Sequence, residues 1–147
     1  MESKSCCGFG HREVFENITE RINSAVREAV EQGCEIFYTG AMGQFDELFS
    51  TSVRIMKKEY PNLKLICVNP YMTMDINKIG NHLYTLYDDV IIPTELADIH
   101  YKSIITKRNQ WMIKNSNIVI CYTRRNFGGA YAAMKYAKKI GKSLLLL

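Results

Sequence analysis

The run CCGFGHRE, residues 6–13, leads from a strand-like stretch directly into a turn that contains Gly8 and Gly10. Glycines after the first strand of an α/β fold let the chain turn sharply and approach a phosphate group. The dinucleotide fingerprint G-x-G-x-x-G requires a third glycine, but Glu13 stands in its place. The next predicted strand ends in Tyr38-Thr39-Gly40, without the carboxylate that would hold a ribose. The usual nicotinamide or flavin fingerprint is therefore not met.

Strand and helix patterns alternate along the whole chain of 147 residues. Short apolar runs predict strands over residues 3–9, 34–39, 63–68, 89–93, 117–122 and 143–147. Helical spacing of apolar residues predicts helices over 14–32, 43–59, 75–86, 99–115 and 128–140, with Asp98 capping the fourth helix. Continuously apolar strands that alternate with helices predict a Rossmann-like three-layer α/β/α domain, with a mainly parallel sheet of five to six strands.

Length and composition indicate one soluble domain over residues 1–147, because 47% of the residues are hydrophobic and 23% are charged. No apolar run approaches the roughly 20 residues of a membrane span, and the first residues lack a signal-peptide pattern. We therefore expect a cytoplasmic protein without membrane association. The net charge of +4 is mild and the basic residues are scattered, which disfavours nucleic acid as a partner and is compatible with a small anionic ligand.

The five cysteines form no CxxC pair and accompany no histidine cluster, so no metal site is predicted. Each cysteine lies in or beside a predicted strand, which is typical of small buried hydrophobic residues. The sequence predicts no cofactor, although Mg²⁺ could accompany a nucleotide. A homodimer is compatible with a domain of this kind.

Two further predicted strands run into glycine-bearing turns, in TGAMGQFDE (39–47) and YTRRNFGGAYAA (122–133). Parallel strands end at one edge of the sheet, and each following helix offers free backbone N–H groups there. Three such turns on one rim, beside several arginines, predict a site for a ligand that carries phosphate. The candidate ligand-binding residues are Gly8, Gly10, His11, Arg12, Thr39, Gly40, Ala41, Gly43, Asp46, Arg108, Asn126, Gly128, Gly129 and Ala130.

Five side chains have alternative interpretations. Arg12 is expected to clamp a phosphate through its planar guanidinium, rather than to be a solvated surface residue. His11 either contacts the ligand or donates to a loop carbonyl. Asp46 either complements the dipole of its helix or binds ribose and acts as a base, which makes it the candidate catalytic residue. Arg108 falls on the apolar stripe of its helix, so it forms a buried structural pair or reaches the ligand. Tyr71 could stack on a base.

These motifs resemble the SLOG superfamily, which groups the LOG phosphoribohydrolases, the DNA-processing protein DprA and stand-alone nucleotide-sensing domains. The resemblance rests on GFGHR (8–12), TGAMGQFD (39–46), KRNQWMIKNSNIVI (107–120) and GGAYAAMKYA (128–137), and it covers nearly the whole chain. The Gly-His-Arg start and the RNQWMI segment look most like a small stand-alone bacterial branch. The resemblance implies a Rossmann-like fold that binds nucleotides or nucleotide-derived ligands.

The resemblance leaves three functions open. The first is a nucleotide-binding protein, such as a sensor, without strong catalysis of its own. The second is N-glycosidic hydrolysis of a nucleoside monophosphate, but LOG-type sequences carry a glutamate where this chain has Ala132-Ala133-Met134-Lys135. The third, and the least favoured by the charge pattern, is single-stranded DNA binding, which requires a basic groove with aromatic platforms.

Overall fold

The computed structural model describes residues 3–70 and 86–147. The candidate Tyr71 and the predicted helix 75–86, apart from its last residue, lie outside the described residues.

Six parallel strands form one sheet in the order β4-β3-β2-β1-β5-β6. The strands are β1 (Lys4–Phe9), β2 (Cys34–Thr39), β3 (Lys64–Val68), β4 (Asp89–Ile91), β5 (Ile118–Cys121) and β6 (Ser143–Leu146). Because the chain leaves β1 toward one side of the sheet and later returns to its other side at β5, a crevice is expected where these two strands end. The predicted Rossmann-like α/β fold is confirmed.

Helices cover both faces of this sheet. They are α1 (Thr19–Glu31), α2 (Gln44–Glu59), α3 (Tyr101–Lys114) and α4 (Gly129–Lys139), and a 3-10 helix spans Thr94–Leu96. Cys6 packs in an apolar cluster with α1 and α2, whereas the next residue, Cys7, packs in a second cluster with α3 and α4. Successive strand residues point to opposite faces, so two cores lie on the two sides of one sheet.

The first helix begins later than the sequence predicts. Residues 14–18 are not helical, because the side-chain oxygen Oδ1 of Asn17 accepts from the N–H of Thr19 at 3.1 Å and holds a turn there. The N–H of Val14 donates to the Gln44 side chain at 2.6 Å instead of joining a helix. Phe15, expected in the core, is 90% exposed as a result.

The start of α3 and the end of β4 also differ from the prediction. The cap of α3 is His100, whose Nδ1 accepts from the N–H of Lys102 at 3.2 Å, and not Asp98. Tyr101, expected to be buried, is exposed because it opens the helix on its solvent side. Strand β4 ends at Ile91, since Pro93 leads into the 3-10 helix. Among the described residues, no helix has the length and apolar character needed to cross a membrane.

Candidate ligand site

A cavity of about 860 Å³ opens at the carboxyl edge of the sheet, where β1 and β5 end. Its walls come from the loop after β1, the first turn of α2, the middle of α3, the end of β5 and the start of α4. The crevice beside the strand-order reversal is the usual ligand site of open α/β sheets. The volume lies within the range of small-molecule sites, about 300–1,000 Å³.

His11, in the loop after β1, forms the centre of one wall and is only 9% exposed. Its Nε2 accepts from the backbone N–H of Arg124 at 2.8 Å. The histidine therefore accepts from a loop amide, which corrects the sequence-based alternative that it donates to a loop carbonyl. Burial, assisted by the nearby positive charges of Arg125 and Arg124, lowers the pKa of His11 and favours the neutral ring.

The other ring nitrogen of His11 faces a second donor. A neutral imidazole carries one proton, so acceptance at Nε2 leaves that proton on Nδ1. Nδ1 lies 3.1 Å from Nη2 of Arg125, which is also a donor. Two N–H donors thus face each other at hydrogen-bond distance. An oxygen of an anion that accepted from both would satisfy this pair.

The start of α4 lies beside the same guanidinium. Gly128 precedes the helix with φ +90°, and a Cβ placed on it would lie 3.7 Å from Nη2 of Arg125. The first helical bond of α4 runs from the N–H of Ala132 to the carbonyl of Gly128, and no described side chain caps the helix. The preceding amides, which include those of Gly129 and Ala130 on the cavity wall, therefore have no intrahelical partner.

The turn before α2 is different, because several of its amides already donate hydrogen bonds within the protein. The N–H groups of Gln44 and Phe45 donate to the carbonyls of Arg12 and His11, at 2.8 and 3.3 Å. The N–H of Met42 donates to Oδ2 of Asp46 at 2.9 Å. The expectation of free amides at this helix start is therefore corrected. The place of the turn in a ligand site stays a prediction.

Several glycines of the first two turns are explained by close packing within the protein. A Cβ on Gly10 would lie 2.1 Å from the Phe45 ring, and one on Gly8 would lie 2.8 Å from the Phe49 ring. Gly43 has φ +96°, and a Cβ there would lie 2.6 Å from the Cα of Arg12. Gly8 lets the end of β1 pack directly on α2, and Gly10 and Gly43 do the same for the loop after β1.

Arg108, on α3, is 3% exposed and forms the buried structural contacts that were one of its two predicted alternatives, while the predicted ligand contact stays a prediction. Its Nη1 donates to the carbonyls of Gly40 and Val68, at 3.3 and 3.1 Å, and its Nε donates to the side chain of Asn109 at 2.8 Å. Part of the side chain also lines the cavity. Arg108 thus joins the ends of β2 and β3 to α3 behind the site.

Asp46, in the first turn of α2, lines the cavity and is 9% exposed. Burial raises its pKa to about 6, although the hydrogen bond from Met42 and the charges of Arg108 and Arg12 act in the opposite direction. Arg12 is exposed on the same wall, and its Cα packs against Gly43. The expected phosphate contact of Arg12 stays a prediction.

Ten residues of the cavity wall are not among the predicted site residues: Phe9, Glu13, Phe15, Glu16, Met42, Ile105, Asn109, Tyr122, Arg124 and Arg125. The Glu16 carboxylate accepts from the hydroxyl of Tyr122 at 2.6 Å and from Nε of Arg124 at 2.7 Å. Hydrogen bonds from Tyr122 and then Arg124 lower the pKa of Glu16. The helical pattern assigned to residues 14–32 concealed Phe15 and Glu16, because their exposure follows from the later start of α1.

The structure brings half of the predicted site residues to the cavity wall: Gly10, His11, Arg12, Asp46, Arg108, Gly129 and Ala130. The others do not line the cavity: Gly8, Thr39, Gly40, Ala41, Gly43, Asn126 and Gly128. Among the described residues, no cluster of histidine, cysteine and carboxylate side chains could hold a metal ion. The five cysteines are free and buried.

No protein-family model and no curated protein matches this sequence. Solved structures share its fold, and two of them are DNA processing proteins. The DNA processing protein A (DprA) of Helicobacter pylori, described in its single-stranded DNA binding mode, has a TM-score of 0.66 and 15% identity, over 97% of this chain and 64% of that one. DprA of Streptococcus pneumoniae has a TM-score of 0.63 and 12% identity, over 98% and 50%. The chain thus spans less than two thirds of either relative.

These likenesses show a DprA-like fold. They also overturn one expectation from the sequence, which disfavoured nucleic acid as a partner, because the Helicobacter pylori protein binds single-stranded DNA on this fold. The charge pattern of the sequence also did not show that Arg12, Arg124 and Arg125 line one cavity, which follows from the pairing of β1 with β5.

Proposed function

We propose that this protein binds a nucleotide or nucleotide-derived ligand, with a phosphate group held between His11, Arg125 and the start of α4. The observation that carries the proposal is the pair of facing donors, Nδ1 of His11 and Nη2 of Arg125, 3.1 Å apart. Among the described residues, no carboxylate forms an ion pair with Arg125. A phosphate oxygen between these groups would satisfy both donors and the free amides of α4 together.

The rest of the cavity supports a ligand larger than a simple anion. Its volume of about 860 Å³ leaves room beyond one phosphate group. The exposed ring of Phe15 lies on its wall and offers an aromatic face to a base. The resemblance to the SLOG superfamily agrees with such a ligand, and membership of that superfamily is part of this proposal. Residues 132–135 supply no carboxylate for glycosidic hydrolysis, so that reaction would need another acid on the cavity wall, for which Asp46 is the candidate.

Single-stranded nucleic acid is the second candidate ligand. Phe15 and Phe127 are both strongly exposed, and the guanidinium of Arg125 lies over the Phe127 ring at 4.9 Å. Exposed aromatic rings with adjacent arginines are the means by which proteins stack successive bases and hold the backbone of a single strand. DprA, with the same fold, supports this candidate. For a nucleotide and for a single strand alike, a phosphate group would lie between His11, Arg125 and the start of α4.

A thermal-shift titration tests the proposal with inorganic phosphate, AMP, ADP, cyclic AMP, ADP-ribose and an oligothymidylate. A bound compound at 100 times its dissociation constant should stabilise the protein by about 2.7 kcal/mol. Arg125→Ala should weaken binding of that compound by about ten- to a hundredfold, because a charge-assisted hydrogen bond is lost. A steep loss of affinity with salt would favour the oligonucleotide over a mononucleotide.

Arg27→Ala is the matched control, because it removes the same charge from α1, outside the cavity, where Arg27 forms an exposed pair with Glu59 at 3.3 Å. Its affinity should equal that of the wild type. Equal weakening of ligand binding in the two variants would show that the loss of affinity comes from the change in net charge and not from a contact of Arg125. The proposal fails if none of the compounds stabilises the wild type.

A further inference from the structure

The cavity contains a buried carboxylate that phosphate binding does not use. Asp46 lines the wall and is 9% exposed. Its Oδ2 accepts from the N–H of Met42, and this is the one hydrogen bond to the carboxylate among the described residues. The second oxygen, Oδ1, is therefore left without a donor in the part of the chain that the structure describes. An acceptor on the wall of a ligand cavity that receives no donor from the described residues can be paired by a donor on the ligand.

The charges around Asp46 define what that donor can be. Arg12, from the loop after β1, and Arg108, from α3, act on the carboxylate electrostatically, and Cys67 of β3 is near enough to be affected by it. An ionised carboxylate only accepts hydrogen bonds, and it repels phosphate. Because the carboxylate disfavours an anion and the two guanidinium groups disfavour a cation, the Asp46 end of the cavity is suited to a neutral group with N–H or O–H donors, whereas the Arg125 end is suited to an anion.

We infer that Asp46 forms a second subsite, which binds hydroxyl or amino donors of the ligand, while its phosphate is held at the start of α4. This inference rests on the proposed function. The donors could come from the hydroxyl groups of a sugar or from the exocyclic amine of a base, which share this chemistry. The subsite would make Asp46 a specificity-determining residue, which selects ligands with a polar donor some distance from the phosphate.

A purely structural role for Asp46 is the competing explanation, since its Oδ2 holds the Met42 amide. Asp46→Asn separates the two, because an asparagine carbonyl can still accept from that amide while the negative charge is lost. Glu47→Gln is the matched control, as it makes the same chemical change at the next residue, which is exposed and off the cavity wall.

The experiment measures the affinities of inorganic phosphate, ribose 5-phosphate and AMP by calorimetry for the wild type and both variants. In Asp46→Asn, AMP should bind about ten- to a hundredfold more weakly, which is the usual effect of losing a hydrogen bond to a charged group. Inorganic phosphate should bind as well as before, and this also reports that the variant is folded. Glu47→Gln should match the wild type with all three compounds.

A parallel loss for ribose 5-phosphate would identify the sugar hydroxyls as the donors, and a loss confined to AMP would identify the base. Unchanged AMP affinity in Asp46→Asn would overturn the subsite and leave the phosphate site standing. Equal weakening of phosphate and AMP would also overturn it, in favour of a structural role. If the wild type bound none of the three compounds, the proposed function itself would fail, and the subsite with it.

Discussion

The turns that precede α2 and α4 have the same backbone conformation and opposite surroundings. Gly43 and Gly128 each stand immediately before their helix, with φ of 96° and 90° and ψ of 178° and 179°. At Gly43 the space where a side chain would lie is filled by the backbone of Arg12, 2.6 Å away. At Gly128 the nearest atom is the Arg125 guanidinium, 3.7 Å away, beside the cavity.

The difference shows what a glycine at a strand-to-helix turn does and does not indicate. It indicates a backbone conformation that other residues rarely adopt, or a neighbouring group so close to the glycine that a side chain would not fit. It does not indicate whether the approaching group belongs to a ligand or to the protein. Before α2 the amides of Gln44 and Phe45 are bound by the loop after β1, whereas the first amides of α4 are left for another acceptor.

Substituting the two glycines provides the strongest test of this comparison, since both sites share the backbone strain. Gly43→Ala should lower the free energy of unfolding by about 4 kcal/mol, the sum of strain and overpacking against Arg12. Gly128→Ala should lose only the strain, about 1–3 kcal/mol. Urea unfolding of the two variants without ligand measures the difference. Equal losses would show that the loop after β1 moves aside easily and that the two turns are equivalent.

The first turn of α2 contains the buried carboxylate of Asp46, which should make the stability of the protein depend on pH. Burial raises the pKa of Asp46 from 3.8 to about 6, so the folded state binds this proton more tightly than the unfolded state does. Relative to Asp46→Asn, the wild type should therefore lose stability as the pH rises from about 4 to about 6, by about 2–3 kcal/mol in total.

Urea unfolding of the wild type and Asp46→Asn at a series of pH values measures this effect. The difference between the two proteins is the useful quantity, because the lowered pKa of His11 has the opposite effect in both of them. As the pH falls below the ordinary pKa of histidine, the unfolded state takes up a proton first, and stability decreases. A stability difference that stays constant between pH 4 and pH 7 would contradict the burial of a titrating carboxylate at Asp46.

Most of the fold could be predicted from the sequence, because apolar runs such as CEIFYT (34–39) and NIVICY (117–122) are typical of strands buried on both faces. The position of the strand-to-helix turns at one edge of the sheet could also be predicted, because parallel strands end at the same edge. The start of α1 could not be predicted, because Phe15 fits the apolar spacing of the helix although the helix begins only after the turn at Asn17. The side-chain pattern was correct from Ile18 onward, and local turn chemistry decided the rest.

The candidate site was harder to predict than the fold, because its character depends on pairs far apart in the sequence. His11 meets Arg124 and Arg125 only after β1 pairs with β5, and nothing near residue 11 indicates which groups its ring nitrogens will face. Arg108 was correctly singled out as a charge on an apolar stripe. Its partners, the carbonyls of Gly40 and Val68, carry no sequence signal, because every residue has a carbonyl.

The central claim is that the start of α4, and not the start of α2, receives the phosphate. Backbone amide chemical shifts measured by NMR during titration with inorganic phosphate test this claim directly. We expect the largest changes at the amides of Gly129 and Ala130, with little change at Gln44 and Phe45, whose N–H groups already donate to the loop after β1. Larger changes at Gln44 and Phe45 than at Gly129 and Ala130 would contradict the account.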